Sequence, residues 1–528
     1  MFQLSGTEFP SVPQVPWALL AGISFLLALK VKGVVIERQR NPLRLPLPPG
    51  PRGMPILGNF LQMPWEEQWV AYDALCQKYG DMVYLSAFGL PILVVGSSRR
   101  AVDLLDKRSA NYSDRLKLPV LELVKRSTWD FSSMPYGPRW RLLRRTFHKY
   151  LSPTATAGYY PVMQEEIQRC LVDLRNNPDD FLDRVELLFG TIIMRVAYGF
   201  DDIETNKALI KNGQHVAQQI GEVTNPTKFL INIFPSLQYV PEWFPGAGWK
   251  GHLRWLSDLS EQTRRQPFDD AKANKNTKYA SIASSLIDDL LDETRPIDCQ
   301  EEAECLCRDV AAVAYSGGSD TTISSVIALI LALANHPEVQ QKAAAELDLV
   351  VGFDRLPTMA DRPTLPYVQA IVKETLRWFT VVPMGAPHAS VNDDEYDGYF
   401  IPKGTIVMPN AWAIMHDPKV FEDPCEFNPD RYIRDGQVDL TVPDAEQAAF
   451  GFGRRICPGR HFSTDTLFLF AASLLSTFTI QPPTKDEAGN PIPLEFKVTS
   501  HTVCKPLSFK CKMIPRPLHE HLIRRYAM

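Results

Sequence analysis

The run FGFGRRICPG, residues 450–459, places one cysteine inside a glycine-rich turn and decides the fold. Gly453 has no β-carbon, so the backbone can bend tightly there and approach a flat ligand, and Gly459 does the same where a helix begins. Arg455 supplies a fixed charge that suits a carboxylate. A buried cysteine in a turn is the alternative for an isolated thiol. Four constrained positions in one window favour Cys457 as a thiolate ligand held against a planar cofactor.

The same window fits the pattern F-x-x-G-x-R-x-C-x-G at Phe450, Gly453, Arg455, Cys457 and Gly459, and here the chain resembles the cytochrome P450 family. The match is complete. The resemblance implies the cytochrome P450 fold, mainly α with a small β region. It also implies haem b (iron protoporphyrin IX), with the Cys457 thiolate as the axial ligand of the iron and Arg455 at a propionate.

Periodicity along the chain predicts a helix-rich body with a small sheet. Apolar residues at helical spacing predict long helices over 309–334, 338–351 and 367–378. Two stretches, 81–96 and 385–408, are rich in Val, Ile and Tyr and predict strands. No internal repeat is present in the sequence, which argues against solenoids and propellers. We expect residues 59–528 to form one catalytic domain.

The N-terminus predicts a membrane anchor. Residues 15–36 are apolar and would form a helix about 33 Å long, enough for a hydrocarbon core of about 30 Å. Basic residues follow it, so residues 1–14 form a short non-cytosolic tail and the body faces the cytosol. A cleaved signal peptide or a buried core helix is the alternative. Residues 37–58 are basic and proline-rich and predict a hinge. The resemblance places such a chain in the endoplasmic reticulum membrane, single-pass.

Composition excludes several other classes. The net charge of −5 shows no basic field for nucleic acid. Nine irregularly spaced cysteines argue against a disulfide framework. Cys305 and Cys307 are too close together for the usual zinc spacing. The sequence has no G-x-G-x-x-G fingerprint between a strand and a helix, so the electrons must come from another protein.

The helix predicted over 309–334 carries Gly317, Gly318, Asp320 and Thr321. Two glycines within a helix destabilise it by about 1 kcal/mol each relative to alanine, so a local reason is expected. A flat cofactor below the helix supplies one, and Asp320 and Thr321 then offer an acid and a hydroxyl for proton delivery. Back-bonding of the hydroxyls to the helix carbonyls is the alternative. The segment resembles the oxygen-activation motif of the family, with Gly317 where alanine is commoner.

Three charged residues are expected to hold the core behind the cofactor. Glu374 and Arg377 stand three residues apart on a predicted helix and share a face. Without the resemblance they read as a surface ion pair. The family's E-x-x-R motif makes them a buried structural pair, completed by Arg431.

Further cofactor contacts follow from the resemblance. Trp140 and Arg144 match W-x-x-x-R, which implies donors to a haem propionate. His388 matches a position where His or Arg contacts a propionate, although a lone histidine is often a surface or satisfied core residue.

A basic cluster surrounds the same helix, consisting of Arg139, Arg141, Arg145 and Lys149. It reads as a solvated face or as a docking surface for an acidic flavoprotein. The partner expected is NADPH–cytochrome P450 reductase, with cytochrome b5 as a further candidate donor.

The combined prediction is a membrane-anchored haem-thiolate monooxygenase. A haem-thiolate isomerase or dehydratase and a non-catalytic haem-binding or sensor protein are its rivals. The pocket is expected to be mostly apolar and to take a hydrophobic small molecule. The sequence resembles fungal P450s of secondary metabolism, which implies a terpenoid, with polyketide, aromatic or indole substrates as alternatives. By analogy with the family the pocket is drawn from loops 116–129, 381–384 and 500–502, with candidate residues Tyr315, Gly317, Val381, Val382, Met384 and His501.

Overall fold

The computed structural model describes residues 38–224, 229–274, 278–290, 297–484, 486, 489 and 491–526, without the side chains of 297–299. The predicted tail and membrane helix, residues 1–36, lie outside the described residues. The described residues divide into two compact units, one formed by residues 38–48 with 392–403 and the other by the described residues of 49–391 and 404–526.

The larger unit is mainly helical. Several of its helices begin at a proline, whose fixed φ suits the first helical turn and whose missing N–H would have had no partner there. Its α-helices are α1 Gln68–Tyr79, α2 Ser98–Ala101, α3 Ser109–Tyr112, α4 Pro119–Leu123, α5 Pro138–Leu151, α6 Pro153–Ala157, α7 Tyr160–Asn176, α8 Phe181–Tyr198, α9 Ile203–Thr224, α10 Trp249–Ala273, α11 Ile282–Leu290, α12 Ile297–Asn335, α13 Pro337–Val350, α14 Pro366–Trp378, α15 Ala411–Met415, α16 Glu446–Ala449, α17 Arg460–Thr477 and α18 Glu520–Tyr526.

Short 3₁₀ turns connect many of these helices. They span Phe60–Gln62, Arg126–Thr128, Pro178–Asp180, Leu230–Asn232, Pro235–Tyr239, Met359–Thr364, Pro429–Tyr432, Gly453–Arg455 and Pro517–His519, and Val102–Lys107 forms a π-helical turn.

The β structure is small. Strands β1 (Met82–Ala87) and β2 (Leu90–Val95) form a hairpin whose turn residues Phe88 and Gly89 both have positive φ, at 50° and 81°. Such a turn matches the right-handed twist of the flanking strands. Strands β3 (His388–Ala389) and β6 (Ile406–Pro409), from the second predicted region, complete the sheet, in the order β1-β2-β6-β3 with β2 and β6 parallel. The remaining strands of the larger unit form two-stranded ribbons, one of β7 Ile433–Arg434 with β8 Gln437–Val438 and one of β9 Phe478–Gln481 with β10 Lys512–Pro515.

The smaller unit contains the hairpin of β4 (Asp394–Tyr396) and β5 (Tyr399–Ile401). The backbone N–H of Phe400 donates to the carbonyl of Pro46 over 2.9 Å. Arg40 donates through Nε to a carboxylate oxygen of Asp393 over 2.9 Å. These bonds join residues 38–48 to the hairpin within this unit.

Helix α12 runs unbroken through the two glycines and begins twelve residues before the predicted start. Within the described part of the chain, its segment Gln300–Asn335 is the one helix long and apolar enough to cross a membrane. However, 78% of its most apolar stretch is buried inside the protein, as in the core helix of a globular domain. The other two predicted helices are confirmed as α13 and α14, each shifted at its start by one residue.

Candidate functional site

Cys457 lies in a tight turn between α16 and α17. Its backbone N–H donates to the carbonyl of Phe450 over 2.7 Å, which closes the loop. Gly453 has φ +56°, and a β-carbon there would lie 2.1 Å from the carbonyl oxygen of Leu105. The contact that requires this glycine is therefore with the π-helical turn of the chain itself, whereas the sequence suggested an approach to a flat ligand. That packing fixes where the cysteine is held.

The thiol of Cys457 is half-buried and free. Burial raises its pKa, while the backbone N–H of Gly459 and the charges of Arg144 and Arg460 act in the opposite direction. Gly459 precedes α17, and a β-carbon on it would meet no protein atom within 4 Å. Open space therefore remains beside the thiol. A bound metal cation would favour the thiolate, since its positive charge would compensate for the solvation that burial removes from the sulfur.

Arg455 is a buried cation whose hydrogen bonds go to backbone carbonyls alone. Its guanidinium donates to Ser113 (2.8 Å), Phe131 (3.0 Å) and Met134 (2.8 Å). Burial lowers its pKa to about 9, and the nearby charges of Arg115 and Arg144 act in the same direction.

Arg115 and His388 stand beside Arg455. Arg115 donates to the carbonyls of Ser132, Ala386 and Pro387, and burial lowers its pKa to about 10. His388 contacts the carbonyl of Tyr112 through Nδ1 at 2.7 Å. Burial, followed by the charge of Arg115, holds the pKa of His388 well below its usual range. Arg115 belongs to no motif and was not among the predicted site residues, although a cation directly before the apolar loop 116–129 was a usable signal.

The two residues of the W-x-x-x-R motif lie on α5 and face the same region. Arg144 donates to the carbonyl of Ile456, next to the cysteine, and burial lowers its pKa to about 10. The indole N–H of Trp140 donates to Phe131 over 3.0 Å, so in this arrangement it is already engaged. The guanidinium carbon of Arg455 lies 4.6 Å from the centre of an indole ring of Trp140.

The three arginines near Cys457 lack a direct ion-pair partner, and this shows whether the site fits a haem. Among the described residues, no carboxylate forms a direct ion pair with Arg115, Arg144 or Arg455, although Asp114 and Asp130 act on Arg115, and Asp114 on Arg455, at longer range. The buried hydroxyl of Ser113 has no hydrogen-bond partner. Buried cations are normally paired, because an uncompensated buried charge is costly. A dianionic group beside Cys457 would supply the missing charge. The two propionates of haem have that charge, so the residues present fit the expected cofactor.

The two glycines of α12 have different environments. A β-carbon on Gly318 would lie 2.9 Å from Cδ1 of Ile193 on α8, so this glycine allows close helix packing. A β-carbon on Gly317 would meet nothing within 4 Å. The hydroxyl of Thr321, one turn later, donates to the Gly317 carbonyl over 3.1 Å, as the alternative interpretation anticipated. The hydroxyl of Thr322 lies 3.3 Å from that of Ser463, which follows the cysteine turn on α17.

Asp320 is a half-buried acid on the same helix. Burial raises its pKa, Lys505 opposes the rise, and Glu186 adds to it. Since the carboxyl keeps its proton to a higher pH than usual, it can act as a donor nearer neutrality.

The charged triad behind the site is assembled as the motif suggested. Arg377 holds Glu374 through two hydrogen bonds of 2.7 and 2.8 Å, and both side chains are fully buried. Arg431 reaches the same carboxylate over 3.1 Å, and the backbone N–H of Asn428 does so over 2.8 Å. The carbonyls of Met415, Pro424 and Glu426 accept the other bonds of Arg377. This carboxylate is fully satisfied within the protein.

The candidate pocket residues are placed unequally. Val381 and Met384 are half-buried against an apolar cluster that includes Phe379, and Val382 is also half-buried. Tyr315 is buried and donates to Leu209 of α9 over 2.9 Å, so its hydroxyl is engaged. His501 is exposed.

The basic cluster on α5 is only partly available for docking. Arg139 donates to the buried carboxylate of Asp309 on α12 over 2.6 Å. Lys149 pairs with Asp289 over 2.5 Å. Arg141 and Arg145 are exposed. The structure therefore ties the first of these residues to the core and leaves Arg141 and Arg145 on the surface.

Comparison with known proteins gives one consistent result. A family model described as "Cytochrome P450" matches residues 48–512. The chain is 48% identical over 500 residues to "Cytochrome P450 monooxygenase COX1" of Coprinopsis cinerea, covering 94% of this chain and 96% of that protein. It is 39% identical to "Cytochrome P450 monooxygenase COX2" of the same fungus, over 94% and 93% of the two chains. "Cytochrome P450 monooxygenase claR" of Ampulloclitocybe clavipes is 36% identical over 94% of this chain and 91% of its own.

Proposed function

Because the chain belongs to the cytochrome P450 family of monooxygenases, we propose that it holds haem on Cys457 and inserts one oxygen atom from O₂ into an apolar small molecule. The observation that carries this proposal is the group of three arginines near Cys457, one buried and two half-buried, with which no described carboxylate forms a direct ion pair. When bound, haem supplies the redox chemistry by which O₂ is reduced and one oxygen atom is transferred to substrate.

The residues around the thiol bind and orient that group. Cys457 is the proposed iron ligand, and the turn closed by its N–H on Phe450 presents the sulfur. Arg455 and Arg115 each use three hydrogen bonds to carbonyls to stay in place, which aligns their remaining N–H groups for propionates without further ordering. His388 stays neutral at physiological pH because its pKa is depressed, and one ring nitrogen already contacts Tyr112.

Asp320 and Thr321, both on α12, would handle protons for the proposed reaction. Thr321 shares a helix face with Gly317, where open space remains for a small reactant. Burial raises the pKa of the half-buried Asp320 carboxyl, which brings proton donation closer to neutral pH. We assign Asp320 as the acid and Thr321 as the hydroxyl that positions the transferred proton.

The substrate class proposed is a terpenoid. The half-buried side chains available from the 381–384 loop are aliphatic or thioether groups, namely Val381, Val382 and Met384, with Leu116 on a neighbouring cluster. Such a lining favours a hydrocarbon skeleton over a charged one, because transfer of apolar area from water is the main gain it offers. Polyketide, aromatic and indole skeletons are the competing classes.

The electron donor proposed is NADPH–cytochrome P450 reductase. Arg141 and Arg145 supply exposed positive charge on α5, the helix that also carries Arg144 at the site. Charges of this kind steer an acidic partner during encounter, and their effect decreases with salt.

Attachment to the endoplasmic reticulum membrane is proposed as well. Residues 15–36 supply the predicted anchor. Apart from it, Tyr239, Trp243 and Phe244 are 80%, 81% and 51% exposed in one short segment. Aromatic side chains prefer the interface between lipid and water. Membrane fractionation of the full chain and of a chain lacking residues 1–36 tests this, and equal solubility of both would contradict an anchor.

The decisive test measures NADPH and O₂ consumption and product in reductase-supplemented membranes with a panel of terpenoid and aromatic substrates. Oxygenated product with matching consumption supports the proposal. Product without O₂ consumption would support an isomerase or dehydratase, and a haem spectrum without turnover on any substrate would support a sensor. Cys457→Ser should abolish the Soret band typical of a thiolate-ligated carbon monoxide complex. Cys425→Ser, the same change at an exposed cysteine, should not.

A further inference from the structure

A cavity of the larger unit lies away from Cys457, between α7 and α17. It is partly enclosed and has a volume of about 490 Å³. Small-molecule sites in proteins have volumes of about 300–1,000 Å³. Leu469 of α17, in the cavity wall, is nine residues beyond the start of that helix at Arg460, about 14 Å along the helix axis. None of the residues that line the cavity belongs to the candidate site.

Part of the cavity wall is apolar. It consists of Ile167 on α7, Leu469 on α17, and Leu356 and Pro357 in the loop between α13 and α14. All four side chains are buried. The apolar body of a ligand would gain free energy by leaving water for this wall, since transfer of apolar area from water is favourable.

Four polar side chains line the same cavity, and they are Gln164, Gln168, Ser473 and Tyr526. Among the residues that the structure describes, none of these side chains has a hydrogen-bond partner, although Ser473 is only 3% exposed. A serine within a helix can donate to the carbonyl four residues earlier, as Ser476 of α17 does over 2.9 Å. The hydroxyl of Ser473 does not, so it is available to a ligand in the cavity.

The three walls of the cavity are joined at one carboxylate. Asp465 lies on α17, one turn before Leu469, and is 7% exposed. It accepts from the phenol of Tyr160 at the start of α7 over 2.8 Å, and from Arg362 in the 3₁₀ turn that follows the loop over 2.5 Å. The site is therefore preformed, and a preformed site binds at a smaller cost in conformational freedom.

Arg355 is the one charged residue among the described residues that line the cavity, and its charge is already neutralised. Its guanidinium holds Asp361 in two hydrogen bonds of 2.7 and 2.6 Å. This pairing lowers the pKa of Asp361 to about 2, so the carboxylate stays ionised at neutral pH. Thr358, also in the wall, donates to the same carboxylate over 2.9 Å. A charged ligand would thus have no free counter-charge here, and a neutral ligand fits the cavity best.

We propose that this cavity, the α7–α17 cavity, is a binding site for a neutral small molecule with an apolar body and at least one hydroxyl group. Gln164 and Gln168 stand four residues apart on one face of α7, so their amides can donate to and accept from the same ligand. Ser473 bonds the ligand from the opposite wall. The site is separate from the proposed haem chemistry, and the inference does not depend on that chemistry.

The first test locates the ligand by photolabelling of the full-length, haem-loaded enzyme. The probe is a phenol with a trifluoromethyl-diazirine group in the para position, a neutral molecule of the proposed class. Light expels nitrogen from the diazirine, and the carbene inserts into a nearby bond, so peptide mass spectrometry identifies the segment contacted. We expect saturable labelling of peptides that contain residues 164–168, 355–358 or 469–473. Labelling that does not saturate there, or that occurs only elsewhere, would overturn the proposal, because the cavity would then hold water alone.

Substitutions in the wall test the polar contacts. Gln168→Met keeps a side chain of similar length without its amide, so the probe concentration for half-maximal labelling should rise by about fivefold, as for one lost hydrogen bond. Gln164→Met and Ser473→Ala should act in the same direction. Gln341→Met, at an exposed glutamine of α13 outside the cavity, is the control and should leave this concentration unchanged. If the three cavity variants all label like the wild type, the assigned contacts are wrong.

Competition with the probe tests the class of ligand. The alcohol 2-naphthol combines an apolar body with one hydroxyl group and should displace the probe. Naphthalene lacks the hydrogen bond and 2-naphthoate is an anion, so each should need at least about a tenfold higher concentration for the same displacement. Equal displacement by naphthalene would show that the polar side chains take no part in binding. Stronger displacement by 2-naphthoate would indicate an anion site at Arg355, and either result would overturn the proposal.

Discussion

Arg377 and Arg455 are both buried guanidinium groups supplied by family motifs, yet their surroundings differ. Arg377 holds a fully buried carboxylate in a double hydrogen bond and places its other donors on carbonyls. Arg455 donates to carbonyls, and burial, followed by the charge of Arg115, lowers its pKa to about 9. The first cluster holds its carboxylate in direct ion pairs, whereas among the described residues Arg455 has no direct ion pair and Asp114 acts on it only at longer range. A motif thus identifies an arginine, and its counter-charge tells whether it supports the fold or awaits a ligand.

Replacing Glu374 by Gln should have the largest effect on this comparison. It leaves two buried guanidinium groups without their carboxylate, and breaking a buried ion pair from one side destabilises a protein by about 3–5 kcal/mol. We expect the urea midpoint for loss of helical structure to fall in the haem-loaded and the haem-free chain alike. Glu495→Gln, at an exposed carboxylate, is the control. An unchanged midpoint would show that Arg377 does not depend on its partner.

Replacing Arg455 by Met should act mainly on the cofactor. A hydrogen bond to a charged group contributes about 1.5–3 kcal/mol, so haem should dissociate roughly 10- to 100-fold faster. In the haem-free chain the removed charge has no ion-pair partner, so this form should lose less stability than the haem-loaded form. Transfer of haem to an acceptor protein measures the dissociation rate, and urea unfolding measures the stability of the two forms. Arg254→Met, at an exposed arginine, is the control. Equal losses of stability in the haem-free and haem-loaded forms would show that Arg455, like Arg377, supports the fold and not the cofactor.

The pH dependence of the free energy of unfolding should reveal the lowered pKa of His388. Its pKa is held well below 6.5 in the folded chain, so the folded state keeps it neutral while the unfolded state takes up a proton below about pH 6.5. The free energy of unfolding should then fall as pH decreases below that value, by at most about 1.4 kcal/mol per pH unit. His388→Asn should reduce this slope in the haem-free protein. His521→Asn, at an exposed histidine, should not. Identical slopes in all three proteins would contradict the prediction.

The adjacent glycines of α12 give the smallest and most sensitive test. Gly317→Ala gains helix propensity of about 1 kcal/mol and meets open space, so it should stabilise the haem-free chain. Gly318→Ala gains the same helix propensity, but its β-carbon would clash with the Ile193 side chain, so the net stabilisation should be lost. Adding Ile193→Val, which removes the clashing methyl group, should recover part of it. Thermal unfolding of the three variants measures this. Equal stabilisation by the two alanines would mean that Gly318 is not required for packing on α8.

Much of the architecture followed from local patterns. Helical periodicity located α12, α13 and α14, and Val- and Ile-rich stretches located the strands, because apolar faces must be buried whatever the partner. Element starts were less well predicted. Helix α12 begins at Ile297, where the sequence is polar and lacks the apolar repeat.

Some residues of the candidate site were predicted from local sequence patterns, and others were found only from the tertiary structure. The cysteine window, the glycine pair and the Glu374 motif are short-range patterns, so the sequence alone identified their members. Arg115 escaped notice because its importance lies in its proximity to Arg455 and His388, residues more than 250 positions away along the chain.

By itself, the sequence determined the family, the cysteine expected to hold the cofactor and the helical character of the body, since each depends on residue type at short spacing. Tertiary structure alone decided which charges are balanced. It paired Arg139 with a buried aspartate and left Arg455 without a direct ion pair among the described residues. It also gave the two adjacent glycines of α12 different environments, one against a neighbouring helix and one beside open space. The physical reason is that Coulomb energy and packing depend on distance in space, which the fold sets and no local pattern contains.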